Sequence, residues 1–186
     1  MKKMLLGVLL CTACPQEPRQ EQAAVLEYYE GEFPVTVDYS MSFEAMVQAG
    51  HYDNMKYLYD FVTEDKFPIQ GEGRVNKVLR LAHQVNFECP PTCPTGEQIL
   101  WGVEDLADDP ADIADLLAFG ARYPDLQRQF DQILAPGSVS DEPTPKDDDD
   151  NRSMPVLYEF EKARHLNTIW WQAGWEDDDW FLVQTQ

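Results

Sequence analysis

A chain of 186 residues with 44% apolar and 12% aromatic content is long enough for one ordinary domain with a real core. Its net charge of -20 excludes a nucleic-acid surface, because a phosphate backbone would be repelled rather than neutralised. The same charge suits a basic partner or a cation, and its plainest reading is solvated surface.

Met1, Lys2 and Lys3 make a positive start, and residues 4–10 (MLLGVLL) follow as an apolar run too short for a bilayer, which takes about 20 residues. A signal peptide over residues 1–13 is therefore expected, against the alternative of a frayed apolar end on a cytosolic protein. Leu10-Cys11-Thr12-Ala13-Cys14 resembles the bacterial lipobox, although Cys11 stands where that motif usually has an aliphatic residue. The resemblance implies a lipid on Cys14, membrane anchoring through it, and an extracytoplasmic place in the bacterial cell envelope. Residues 14–32 then read as a tether, polar over PQEPRQEQ.

Residues 33–40 (FPVTVDYS) alternate and are rich in β-branched and aromatic types, which predicts a strand. A helix is expected next, capped by Ser42, with Glu44 in its first turn, Phe43, Met46 and Val47 on its apolar face and Gly50 at its end. Residues 51–61, with Tyr52, Tyr57, Leu58 and Phe61, suggest another short helix, and Gly71 to Gly73 a loop. Over residues 78–87, Leu79, Leu81, His83, Val85 and Phe87 share one side of a predicted strand, with Arg80, Ala82, Gln84 and Asn86 on the other. A histidine in such a row is more often a core or edge residue than a ligand.

A helix is predicted from Thr95, with Gln98 completing a capping box and Ile99, Leu100, Val103 and Leu106 buried. Asp109-Pro110 reads as the start of the next helix. Residues 112–130 carry Ile113, Leu116, Leu117 and Phe119, then Leu126 and Phe130 beyond Tyr123-Pro124, so two short helices meeting at a bend are expected. Near residues 136–153 the prolines and the run Asp147 to Asp150 predict an acidic, disordered loop. Three strands should close the chain, over residues 156–160, 166–172 and 180–183. The fold class is α+β, with short helices packed on an antiparallel, aromatic-rich sheet or small barrel, in one domain over residues 33–186.

With Cys11 lost on cleavage and Cys14 lipidated, Cys89 and Cys93 remain, and outside the reducing interior they predict a small-loop disulfide. In the cytosol the pair would sooner be redox-active or metal-binding. Cys89-Pro90-Pro91-Thr92-Cys93-Pro94 resembles the copper motif of the Sco family, and that resemblance implies an alternative copper site of Cys89, Cys93 and His165. The four aspartates lack the alternating spacing of a calcium loop. Trp170, Trp171, Trp175 and Trp180, beside Asp177 to Asp179, would make either a core or a face for a protein or glycan. Hydrolase, metalloprotease and phosphate-loop motifs are absent from the sequence, and no catalytic residue or cofactor is expected.

Leu116-Leu117-Ala118-Phe119-Gly120 followed by Tyr123-Pro124-Asp125-Leu126-Gln127-Arg128-Gln129-Phe130 resembles an uncharacterised family of small bacterial proteins. Residues 37–42, with Met46, Gly50, Tyr52 and Asp53, and the closing set Val156-Leu157, Arg164, Leu166, Trp171, Trp175 and residues 181–183, are similar to the same family. Trp180 departs from it, where arginine is usual, as does Ala135-Pro136, where Leu-Gly is. The resemblance implies one α+β domain and leaves function open. The reading reached is a non-enzymatic, lipid-anchored binding module for a basic protein or a glycan. A copper or thiol-redox protein and an acidic, immunity-type inhibitor of a basic toxin are its alternatives.

Overall fold

The computed structural model describes residues 25–53, 62–85, 96–106, 108–140, 152–170, 175 and 178–185. Within these, the strands are β1 (Leu26–Tyr28), β2 (Phe33–Asp38), β3 (Arg74–Gln84), β4 (Asp109–Pro110), β5 (Gln132–Leu134), β6 (Ser153–Phe160), β7 (Ala163–Trp170) and β8 (Asp179–Gln184). The helices are α1 (Phe43–Ala49), α2 (Gly96–Asp105) and α3 (Ile113–Arg122). One open sheet runs β1-β3-β8-β5-β6-β7, with β2 beside β3 and β4 beside β8. The class is α+β. The sheet is not closed into a barrel, and one of its pairs, β5 with β8, is parallel.

Alternation in the central strands feeds two cores, one on each face. In β8, Leu182 points to the first core while Phe181 and Val183 point to the second. The first core lies under α1 and α3 and holds Val35, Val37, Leu79, Leu81, Leu116, Leu117 and Leu157. The second lies under α2, where Ile99 and Val103 meet Ala82, Leu134, Val156, Trp175 and Phe181. Because both faces are covered, Ala82 and Gln84 of β3, on the side opposite Leu79 and Leu81, are buried too.

Ser42 caps α1 as expected, its hydroxyl accepting from the Ala45 N–H. Gly50 ends α1 with ordinary right-handed angles, so its role is space: a Cβ there would lie 2.2 Å from the Tyr52 ring. Asp109-Pro110 does not open a helix; it pairs with β8, and α3 starts after Asp112, whose capping box is closed by Asp115. α3 stops at Tyr123 because Pro124 disfavours helical angles before it. Residues 124–129 then form successive turns instead of the expected second helix, although Leu126 and Phe130 still pack on the first core.

Three strand segments were not legible in the pattern, β1, β4 and β5, and each is only two or three residues long. β1 places residues 26–28 in the sheet, so the domain begins inside the expected tether. β3 starts at Arg74, ahead of the predicted residue 78, and β7 starts at Ala163 rather than 166. β6 and β7 are joined by Glu161 and Lys162, both with positive φ, the two-residue turn whose twist suits a hairpin. Of the expected acidic loop, residues 136–140 are ordered, with Ser140 bridged to Ser153. The aspartate run, Thr95 and residues 54–61 of the short helix expected over residues 51–61 lie outside the described residues, and residues 51–53 are not helical. No helix among the described residues is long and apolar enough to cross a membrane.

One buried side chain ties α1 and α3 to β7. Arg164 of β7 is 6% exposed and sends its three guanidinium nitrogens to three places. Nη1 donates to the Gly50 carbonyl at 2.6 Å, Nη2 to the Gly120 carbonyl at 2.6 Å and Nε to Gln127 Oε1 at 3.1 Å. The first two carbonyls end α1 and α3, where helix dipoles favour a cation. Gln127 carries the link onward, its amide donating to the Tyr158 and His165 carbonyls at 2.8 and 2.9 Å. Asp53 closes the circuit by accepting from the Arg164 backbone N–H at 2.6 Å. The Tyr52 ring lies 5.2 Å from the guanidinium, and its buried hydroxyl has no partner among the described residues.

That hydroxyl makes the packing testable. A Cβ on Gly120 would lie 2.3 Å from it. Gly120→Ala is expected to cost about 1–3 kcal/mol by overpacking, despite alanine's better helix propensity. Tyr52→Phe alone should be near neutral, since it removes an unpaired polar atom. The double variant should recover most of the loss in urea denaturation; two additive effects would contradict the contact.

Candidate functional site

β2 pairs with β3 on one side, and its other side borders a groove of about 640 Å³. That size is in the range of ligand sites. Residues Pro34 to Asp38 line its length. α3 supplies Ala114, Leu117, Ala118, Ala121 and Arg122 at helical spacing, and α1 supplies Met46 and Ala49. The alanines are what leave room, since a larger side chain on that face of α3 would reach across to the strand. From Ala114 to Arg122 the helical rise gives a groove about 12 Å long.

The edge of β2 is guarded against another strand. The Tyr39 N–H bonds to the Gly73 carbonyl, so in this register Phe33, Val35 and Val37 bond to β3 while Pro34, Thr36 and Asp38 turn their backbone groups outward. Pro34 has no N–H, and its carbonyl accepts from the Tyr123 hydroxyl at 2.8 Å. The Asp38 carbonyl accepts from the Met41 N–H. What remains for main-chain pairing is centred on Thr36, too short for a stable added strand.

Charges lining the groove are mostly paired. Lys77 Nζ lies 2.8 Å from Asp115 Oδ1, with side chains 13% and 2% exposed. Burial pushes the Asp115 carboxyl up, and the charge of Asp112 adds to this, while Lys77 opposes both. Burial alone would lower Lys77, but Asp115, Tyr39 and Asp112 together hold its ammonium above the ordinary lysine value. Both values are raised, which disfavours the charged form of Asp115, the more deeply buried partner, and favours that of Lys77. Asp38 accepts from Ser40 and from Arg74 Nε at 2.8 Å, and its carboxyl is held low chiefly by the Ser40 hydroxyl. Arg122 is exposed, lies over the Tyr123 ring at 5.8 Å, and has no carboxylate partner among the described residues.

The residues singled out in the sequence lie elsewhere. Trp175 is fully buried against Phe181 in the second core, so its indole is not part of a surface. Trp180 is half-buried, 4.4 Å from the His83 ring and 4.9 Å from Phe130, with Tyr29 edge-on at 5.7 Å. Beside this cluster, a hydrogen bond with Asp178 raises the Asp131 carboxyl. His165 stacks on its strand partner Tyr158 at 5.0 Å. Trp170 ends β7; Cys14, Cys89, Cys93 and Trp171 lie outside the described residues, and the disulfide and copper expectations with them. Among the described residues no three His, Cys, Asp or Glu side chains are grouped to hold a metal.

The groove itself was missed in the sequence. Its one signal is the repeat of Ala114, Ala118 and Ala121, small residues along a helix whose other apolar positions are large. No family model, curated protein or solved structure matches the chain.

Lys77→Met should destabilise the protein by about 3–5 kcal/mol, because it leaves Asp115 buried without its cation. Adding Asp115→Leu should recover much of this. The sign of the pH dependence follows from burial. A carboxyl raised in the fold holds its proton to higher pH than in the unfolded chain, so its ionisation costs stability as pH rises past about 3.9. Losing Lys77 widens that window, and the single variant should be relatively more stable at acid pH than at neutral pH. Denaturant midpoints across pH test both statements.

Proposed function

We propose that this chain is a non-enzymatic binding domain, held outside the bacterial cytoplasm by a lipid on Cys14, and that the groove along β2 takes its ligand. One observation carries the reading: a strand-long apolar groove is kept open by alanines on α3 while its backbone edge is blocked by Pro34, Tyr123 and Met41. An edge so guarded favours a ligand that binds by apolar contact over a peptide that adds as a strand. The neutral probe N-phenylnaphthylamine should brighten on binding the purified domain. Ala118→Phe, which fills the groove, should abolish the signal with an unchanged melting temperature, and Tyr29→Ser should leave it intact. Equal brightening of the Ala118→Phe variant would overturn the assignment.

A second reading keeps the binding face at the aromatic and acidic cluster, for a basic protein or a glycan. Tyr29 and Trp180 meet there at 5.7 Å, beside the Asp131 and Asp178 carboxyls. Rings next to carboxyl groups suit cationic side chains and sugar faces. If it holds, Tyr29→Ser is the variant that loses binding to a basic peptide or oligosaccharide array. Anchoring is tested apart from either surface: intact protein extracted from bacterial membranes should begin at Cys14 with the mass of a diacylglyceryl group, and an unmodified Met1 would remove the envelope from the proposal.

A further inference from the structure

Charge sorts the occupants of the groove. Lys77 is satisfied by Asp115 and Asp38 by Arg74 and Ser40, so the lining cation left without a carboxylate partner among the described residues is Arg122. It stands at the C-terminal end of α3, beside the Pro34 end of β2. At the other end is Met41, 38% exposed, and Met46 of α1, 6% exposed, lines the groove as well; both have unbranched side chains that adapt to an apolar chain. Between the ends the walls are mostly alanine, leucine and valine, with Thr36, Asn76 and the paired Lys77 among them. A cation at one end, a methionine-lined far end and an apolar trough of about 12 Å describe the complement of a molecule with one anionic head and one aliphatic tail.

We infer that the groove takes a single-chain aliphatic carboxylate, its head on the Arg122 guanidinium and its tail along Ala118 toward Met41 and Met46. This rests on the groove being the binding face, and it adds the ligand class and its orientation. The guanidinium suits the head because its fork of N–H donors matches two carboxylate oxygens. The tail finds the outward edge of β2 already blocked at Pro34 and at the Asp38 carbonyl, which spares the ligand from covering open backbone groups there. With a net charge of -20 over the whole chain, the head would be repelled by most of the surface, so the pairing must be local to be felt.

The test is isothermal titration of the full chain with dodecanoate and with dodecanol at about 0.15 M salt, where long-range repulsion is screened. Dodecanoate should bind at one site. Arg122→Gln should weaken it roughly three- to tenfold, as expected for a partly exposed ion pair, while Arg122→Lys retains most of the affinity. Dodecanol should bind the parent protein with the affinity dodecanoate shows for Arg122→Gln. Binding of alcohol and acid with equal strength, lost together in Ala118→Phe, would overturn the carboxylate and leave the groove standing. Failure of both ligands and of the neutral probe would remove the groove as well.

Discussion

Arg164 is the constraint on which the rest of this structure depends. A cation buried among backbone carbonyls is costly to desolvate, and it is kept because three acceptors meet it at once: the end of α1, the end of α3 and the Gln127 amide. Each of these would itself be a buried or half-buried carbonyl lacking a partner without the guanidinium. The bonds run both ways, so two helices and the β6–β7 hairpin are held in one arrangement. Burial lowers the pKa of Arg164, yet an arginine starts so high that it stays charged.

The groove is a consequence of that arrangement. α1 and α3 are tied at their C-terminal ends, and α3 is tied again near its start, where Asp115 takes Lys77 of β3 and shares the capping box with Asp112. A helix fixed at both ends cannot settle further toward β2, and the alanines on its face do not fill the gap. The space is therefore held open by polar contacts at its ends. Stability rests in this way on the buried Arg164 and Lys77, while the exposed Arg122 is left to the ligand proposed for the groove.

Several residues of the blocks singled out in the sequence gain a physical meaning from the same network. Gly50, Tyr52, Asp53, Gly120, Gln127 and Arg164 are far apart in the chain and meet within one cluster. Gly50 and Gly120 give way to the Tyr52 ring, and the turn-forming block from Tyr123 to Phe130 exists to bring Gln127 inward. The block reads as helical because Leu126 and Phe130 keep the apolar spacing of α3. Pro124 and the pull of two strand carbonyls on Gln127 decide otherwise.

What the sequence by itself determined is local. Alternation marked β2 and the centres of β3, β6 and β8; Ser42 and the face of Ile99 and Val103 marked α1 and α2; the mixture of both patterns marked an α+β class. What only the tertiary structure decided is whatever needs partners distant in the chain. The short β1, β4 and β5 have too few residues to show a period and exist because β3, β6 and β8 offer them hydrogen bonds. Trp175 is core and Trp180 a half-buried neighbour of His83 because α2 and β3 cover them, which indole content could not tell. The groove is likewise a matter of relative placement, since three alanines on a helix mean space only once a strand edge stands opposite them.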